Sequence, residues 1–183
     1  MKNCIIVHAL GNTANEYWYP WLKKQIEGKG FICYTPTMPG LDNMSYRTWA
    51  NEMDKIKSEI NEDTVVIGHS TGSIFLAHYL IENNLKVSKY IGVVSFNEAN
   101  HNGEHEDWDK INESFFVNNL EDLKKYAKER ICFYSPTDIY DFKKLDDFAN
   151  KVDAEKVIIQ NAGHFTAVTG YGEKFEEILK YID

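Results

Sequence analysis

Thr64-Val65-Val66-Ile67-Gly68-His69-Ser70-Thr71-Gly72-Ser73-Ile74-Phe75-Leu76-Ala77 reads as strand, sharp turn and helix. A β-branched apolar run ends at Gly68, Ser70 sits at the centre of a five-residue turn, and an apolar-periodic run begins at once. Gly68-His69-Ser70-Thr71-Gly72 matches G-x-S-x-G, the nucleophile elbow, in which a strained turn lifts a serine hydroxyl above the end of a sheet. The glycines have a steric reason, because side chains two positions either side of the serine would collide with the neighbouring strand and helix. Three fixed residues of roughly 7% frequency each match by chance in about one chain in twenty of this length. The strand before and the helix after therefore carry the weight of the reading.

The rest of the chain bounds what such an elbow can belong to. With 183 residues, 43% of them hydrophobic, it is long enough for one well-buried core and too short for two ordinary domains, which predicts one globular domain over 1–183. Twenty Lys+Arg against 28 Asp+Glu give a formal charge of -8, with no basic stripe for phosphates, so nucleic acid is not expected as a partner. The first eight residues hold only four apolar residues together before His8, too few for a signal-peptide core, and no later run reaches membrane-spanning length. A cytoplasmic protein with no membrane partner is the expectation. Cys4, Cys33 and Cys132 are odd in number, lack C-x-x-C spacing and sit in or beside apolar runs, the pattern of buried free thiols.

Six short apolar runs read as strands: Cys4–Val7, Phe31–Tyr34, Val65–Ile67, Tyr90–Val94, Ile131–Tyr134 and Val157–Ile159. Helical patterns alternate with them. Thr13-Ala14-Asn15-Glu16 has capping-box spacing and predicts a helix through Trp18, Trp21, Leu22 and Ile26, stopping near Gly28 and Gly30. Trp49, Met53, Ile56 and Ile60 mark one face of a second helix, Ile74, Ala77 and Ile81 that of a third. Further helices are expected from Leu120 to Lys128, around Phe142, Leu145 and Phe148, and around Phe175, Ile178, Leu179 and Ile182. From Asn97 to Asp109 the chain turns polar and acidic before Ile111, Phe115, Phe116 and Val117, and the segment 97–119 carries no clear pattern. Alternation of this kind predicts an α/β fold, a mostly parallel sheet of about six strands with helices on both faces.

In such sheets the ligand crevice lies outside the carboxyl ends of the strands. Ser70 follows the third strand, Asp138 the fifth, His164 the sixth, and His8 closes the first. The order Ser, Asp, His is that of an α/β-hydrolase triad. A serine hydroxyl is a poor nucleophile until an imidazole takes its proton, and a carboxylate on the other ring nitrogen fixes the tautomer and stabilises the imidazolium. His164 is the candidate base and Asp138 the candidate acid, with Asp141 as the alternative. Backbone N–H groups must also meet the developing oxyanion, and Thr71 and Leu10 are placed to supply them. His8, Asn12 and His69 are candidates for supporting roles.

Val7-His8-Ala9-Leu10-Gly11-Asn12, Trp18-Tyr19-Pro20-Trp21-Leu22, Pro36-Thr37-Met38-Pro39, the elbow, Ser135-Pro136-Thr137-Asp138 and Gly163-His164-Phe165 together resemble the small serine hydrolases grouped with retinoblastoma-binding protein nine. The resemblance spans nearly the whole chain. It implies a lidless α/β-hydrolase fold, a triad carried by Ser70, Asp138 and His164, and carboxylesterase-like chemistry. Ala9 stands where the family commonly has glycine, and Ile139 where it commonly has proline.

Other histidines have plainer readings. His78 lies on a helix. His101 and His105, among Glu104, Glu106 and Asp107, lack H-E-x-x-H or comparable spacing, which favours a solvated loop over a metal site. No G-x-G-x-x-G or Walker sequence is present, so neither a nucleotide cofactor nor a metal is expected. These residues point to hydrolysis of small carboxylic esters, or amides or thioesters, through an acyl-enzyme at Ser70. The alternatives are acyl transfer by the same nucleophile and a non-catalytic protein-interaction module on a hydrolase scaffold.

Overall fold

The computed structural model describes residues 2–100 and 106–183. Six strands, β1 (Asn3–Val7), β2 (Ile32–Tyr34), β3 (Val65–His69), β4 (Val87–Val93), β5 (Ala127–Tyr134) and β6 (Glu155–Ile158), form one sheet in the order β2-β1-β3-β4-β5-β6. Every neighbouring pair is parallel. Each of the six apolar runs falls on a strand; the central β1 and β3 are apolar because a parallel strand covered on both faces must be, whereas the edge strand β6 starts earlier than expected, at Glu155, and is mostly exposed. Each residue of β1 and of β3 is buried.

Among the described residues six helices intervene: α1 (Tyr19–Gly28), α2 (Tyr46–Met53), α3 (Thr71–Glu82), α4 (Glu106–Glu113), α5 (Leu123–Tyr126) and α6 (Phe142–Lys151). Ten of the twelve residues of α3 are buried, which accounts for its apolar character all round. Among the described residues no helix is long and apolar enough to cross a membrane.

Several helix boundaries differ from the sequence expectation. Thr13–Glu16 does not cap a helix: residues 13–18 form turns, Tyr17 takes a left-handed φ of 49°, and α1 starts at Tyr19 with Pro20 in its first turn. Proline suits that position because its missing N–H would be unsatisfied there anyway. The reciprocal cap occurs instead at the start of α2, where Ser45 accepts the Thr48 N–H and Thr48 accepts the Ser45 N–H. The Trp49–Ile60 face is split between α2 and a 3-10 turn over Asp54–Glu59. The expected Leu120–Lys128 helix shrinks to a 3-10 turn and the single turn of α5, and β5 begins at Ala127. The final apolar face lies on a 3-10 segment, Glu176–Tyr181. The unpatterned stretch contains α4, while His101 and His105 lie outside the described residues.

Strand order reverses at β1: β2 pairs on one side of it and β3 on the other. The loops leaving the carboxyl ends of β1 and β3 therefore diverge and leave a crevice. Leu10 and Ser70 stand on those two loops.

Candidate active site

Ser70 occupies the turn between β3 and α3 with φ 53° and ψ -122°, a conformation in which a β-carbon is strained. The close approach of strand and helix explains both flanking glycines. A β-carbon on Gly68 would lie 2.4 Å from the Ser73 Cα, and one on Gly72 would lie 2.5 Å from the carbonyl oxygens of both Val7 and His8. The Ser70 N–H donates to the Val93 carbonyl at 2.8 Å, so the elbow is also tied to β4.

His164 reaches Ser70 from the loop after β6. Its Nδ1 lies 2.9 Å from Asp138 Oδ1 and its Nε2 lies 3.0 Å from Ser70 Oγ. An ionised carboxylate only accepts, so Nδ1 carries the proton and Nε2 is free to accept the serine hydroxyl. The Asp138 side chain is fully shielded from solvent and that of His164 is 17% exposed. Asp138 Oδ1 also accepts the Tyr140 N–H at 2.9 Å, whereas the buried Oδ2 has no hydrogen-bond partner. The acid loop holds the base loop directly: Ser135 Oγ accepts the Ala162 N–H and Thr137 Oγ1 accepts the Gly163 N–H, each at 3.2 Å. Asp141, the alternative acid, is exposed and caps α6, its Oδ1 accepting the Lys143 N–H at 2.8 Å.

The expected supporting residues divide. Thr71 and Leu10 both line the cavity in front of Ser70. His8 is buried at the start of the loop after β1. The Met38 N–H donates to its Nε2 at 3.2 Å, so its Nδ1–H donates to the Ala9 carbonyl at 2.9 Å. Burial lowers the pKa of His8, in keeping with a neutral ring. Asn12 closes the same loop, its N–H donating to the Ala9 carbonyl and its side chain to Glu16. His69 is fully buried, and burial followed by the nearby His164 lowers its pKa to about 3.

The cavity measures about 540 Å³. No Lys, Arg, Asp or Glu is among its described lining residues. Its walls include Leu41, Trp108, Ile139 and Val168, all with substantially exposed side chains. Thr71 Oγ1 donates to Asn112 Oδ1 at 2.7 Å, and Asn112 Nδ2 approaches the Tyr140 hydroxyl at 3.4 Å. Asn112 and Tyr140 were not among the sequence candidates. Asn112 comes from α4, inside the stretch without a pattern, and only its arrival over α3 reveals it. Among the described residues no cluster of three or more His, Cys, Asp or Glu could hold a metal ion.

Comparison with known proteins agrees with this architecture. The chain is 24% identical over 173 residues to the YdeN protein of Bacillus subtilis, covering 93% of this chain and 89% of that protein. It is 24% identical over 181 residues to serine hydrolase RBBP9 of Rattus norvegicus, covering 94% and 88%. The crystal structure of the B. subtilis ydeN gene product superposes with a TM-score of 0.85 at 21% identity, over 100% of this chain and 97% of that one. Est1E from Butyrivibrio proteoclasticus, solved with ferulic acid bound, superposes with a TM-score of 0.69 at 12% identity, over 100% and 88%. These structural likenesses establish the α/β-hydrolase fold. The family described as serine hydrolase matches residues 4–183, and the chain belongs to that family.

Proposed function

We propose that this hydrolase cleaves small, uncharged carboxylic esters through an acyl-enzyme at Ser70. The observation that carries the reading is the unbroken row from Asp138 Oδ1 through His164 to Ser70 Oγ, with bonds of 2.9 and 3.0 Å, opening on a cavity of about 540 Å³. Ser70 Oγ attacks the ester carbonyl as its proton passes to His164 Nε2, and Asp138 stabilises the imidazolium. The Thr71 and Leu10 N–H groups receive the oxyanion. His164 then gives its proton to the departing alkoxide, leaving the acyl group on Ser70. Water attacks that ester with His164 again as base, and the carboxylic acid departs. The uncharged lining and apolar mouth favour neutral, apolar acyl groups over charged ones, because nothing at the described wall would pair a buried charge.

The test is hydrolysis of p-nitrophenyl esters of increasing acyl length by the native protein and by Ser70→Ala and His164→Ala. Turnover of short neutral esters, with nearly complete loss in both folded variants, is expected. Equal activity of native protein and Ser70→Ala would overturn the proposal.

A further inference from the structure

Two loops must be held in register on either side of the elbow: the one after β1, which carries Leu10, and the one after β6, which carries His164. The second is unusual in its backbone. Asn161, Gly163 and Phe165 have φ of 60°, 50° and 53°, so three of five successive residues are left-handed. Such a path persists only where its surroundings over-determine it. Its two carbonyls around the base are both taken from below. His69 Nε2 bonds to the His164 carbonyl at 2.8 Å, and Trp18 Nε1 donates to the Phe165 carbonyl at 3.2 Å.

The direction of every remaining bond follows from which groups can donate. A carbonyl only accepts, so His69 carries its proton on Nε2 and its Nδ1 is an acceptor. The Tyr19 hydroxyl, 2.6 Å from that Nδ1, donates to it. Its oxygen in turn accepts the Ala9 N–H at 3.2 Å. The row therefore runs Ala9 N–H to Tyr19, Tyr19 O–H to His69, His69 N–H to the His164 carbonyl. Tyr19 and His69 are both fully buried, and burial pushes the tyrosine pKa up and the histidine pKa down to about 3. Neither ring changes its protonation near neutral pH, so the row is a fixed strut and not a proton path.

We propose that Tyr19 and His69 are positioning residues that couple the loop bearing Leu10 to the loop bearing His164, and so set the distance between the oxyanion donors and the base. The inference rests on the reading of Ser70 as nucleophile. Packing alone fills the space between the two loops, but hydrogen bonds also fix how their peptide planes turn. A 1 Å misplacement of reacting groups costs as much as about 10²-fold in rate.

Tyr19→Phe keeps the ring and its edge contact with Trp18 while removing only the hydroxyl. With p-nitrophenyl acetate, kcat is expected to fall about 10- to 100-fold while KM stays within about twofold. His69→Leu is expected to lose as much or more. His69→Gln restores an acceptor for Tyr19 and a donor for the His164 carbonyl, and its kcat is expected at least about fivefold above that of His69→Leu. Thermal unfolding identifies a variant that has lost its fold. Should His69→Leu be one, Tyr19→Phe and His69→Gln decide, the latter being required to keep more kcat than Tyr19→Phe. A folded Tyr19→Phe protein whose kcat lies within about threefold of native overturns the proposal. So does a His69→Gln protein no better than the variant it is measured against. Native protein that neither hydrolyses esters nor labels at Ser70 is a different failure, that of the esterase reading itself.

Discussion

Asp138→Asn removes one charge from the row behind Ser70 while keeping the side-chain shape, and the structure determines how the amide must sit. Oδ1 accepts two N–H groups, one from His164 and one from the Tyr140 backbone, and the second cannot turn away. The asparagine oxygen therefore takes the Oδ1 position, and its NH₂ group the position of Oδ2, which has no partner in the native protein. His164 keeps its proton on Nδ1. What is lost is the charge opposite the imidazolium. Two unit charges about 4 Å apart interact by about 4 kcal/mol at an effective dielectric of about 20. That dielectric suits a pair in which the carboxylate is shielded and the imidazole is 17% exposed. At about 1.4 kcal/mol per decade, kcat should fall about 10³-fold. The assay is steady-state hydrolysis of p-nitrophenyl acetate, with circular dichroism to verify the fold and ¹⁵N NMR to report the His164 tautomer. A fall smaller than about tenfold in folded protein, or a proton moved to Nε2, would refute the reasoning. Asp141→Asn is the paired control. Asparagine also caps helices well, so activity should stay within about twofold of native and stability within about 1 kcal/mol.

Other perturbations probe the elbow and the buried histidines. Gly72→Ala would place a β-carbon 2.5 Å from the Val7 and His8 carbonyl oxygens, so β1 and α3 must part. Denaturant unfolding should show a loss of at least about 2 kcal/mol, accompanied by loss of esterase activity; a loss below about 0.5 kcal/mol would mean that the elbow relaxes freely. His69 gives stability a pH dependence. Its folded pKa of about 3 lies below the ordinary histidine value, so the unfolded chain binds a proton first as pH falls. Stability is full above about pH 6.5 and declines below it, by about 3 kcal/mol at pH 4 from this residue alone. His8 and His78 act in the same direction. Unfolding curves for native and His69→Gln protein should diverge in slope between pH 6.5 and 4, and parallel slopes would contradict the assignment.

What was legible in the sequence follows the physics of each element. All six strands were: β1 and β3, buried at every position, show as the continuous apolar runs Cys4–Val7 and Val65–Ile67, while the more exposed edge strands β2 and β6 show as shorter apolar runs. That Ser70, Asp138 and His164 come together was also legible, since a parallel sheet sends the ends of all its strands to one rim. Helix boundaries were harder. Thr13–Glu16 has the residues of a capping box, but the left-handed Tyr17 and the position of Pro20 delay α1 to Tyr19. Periodicity alone could not distinguish α-helix from the 3-10 turns at Asp54–Glu59 and Glu176–Tyr181, because a short apolar spacing fits the tighter winding as well. Asn112 and Tyr140 gave no local sign, because the one comes from α4 and the other from the loop after β5, and only the folded chain brings them together beside Thr71. His69 was a candidate for a supporting role without a stated partner, and Tyr19 was not a candidate. Only the order of donors and acceptors along their row shows that they tie two loops together.

The central claim is an activated nucleophile at Ser70, and labelling with a fluorophosphonate probe, followed by intact mass and peptide mapping, tests it most directly. One adduct on Ser70, absent in Ser70→Ala and strongly slowed in His164→Ala, is the expected result. Folded native protein that takes up no probe, or takes it up equally after Ser70→Ala, would contradict it.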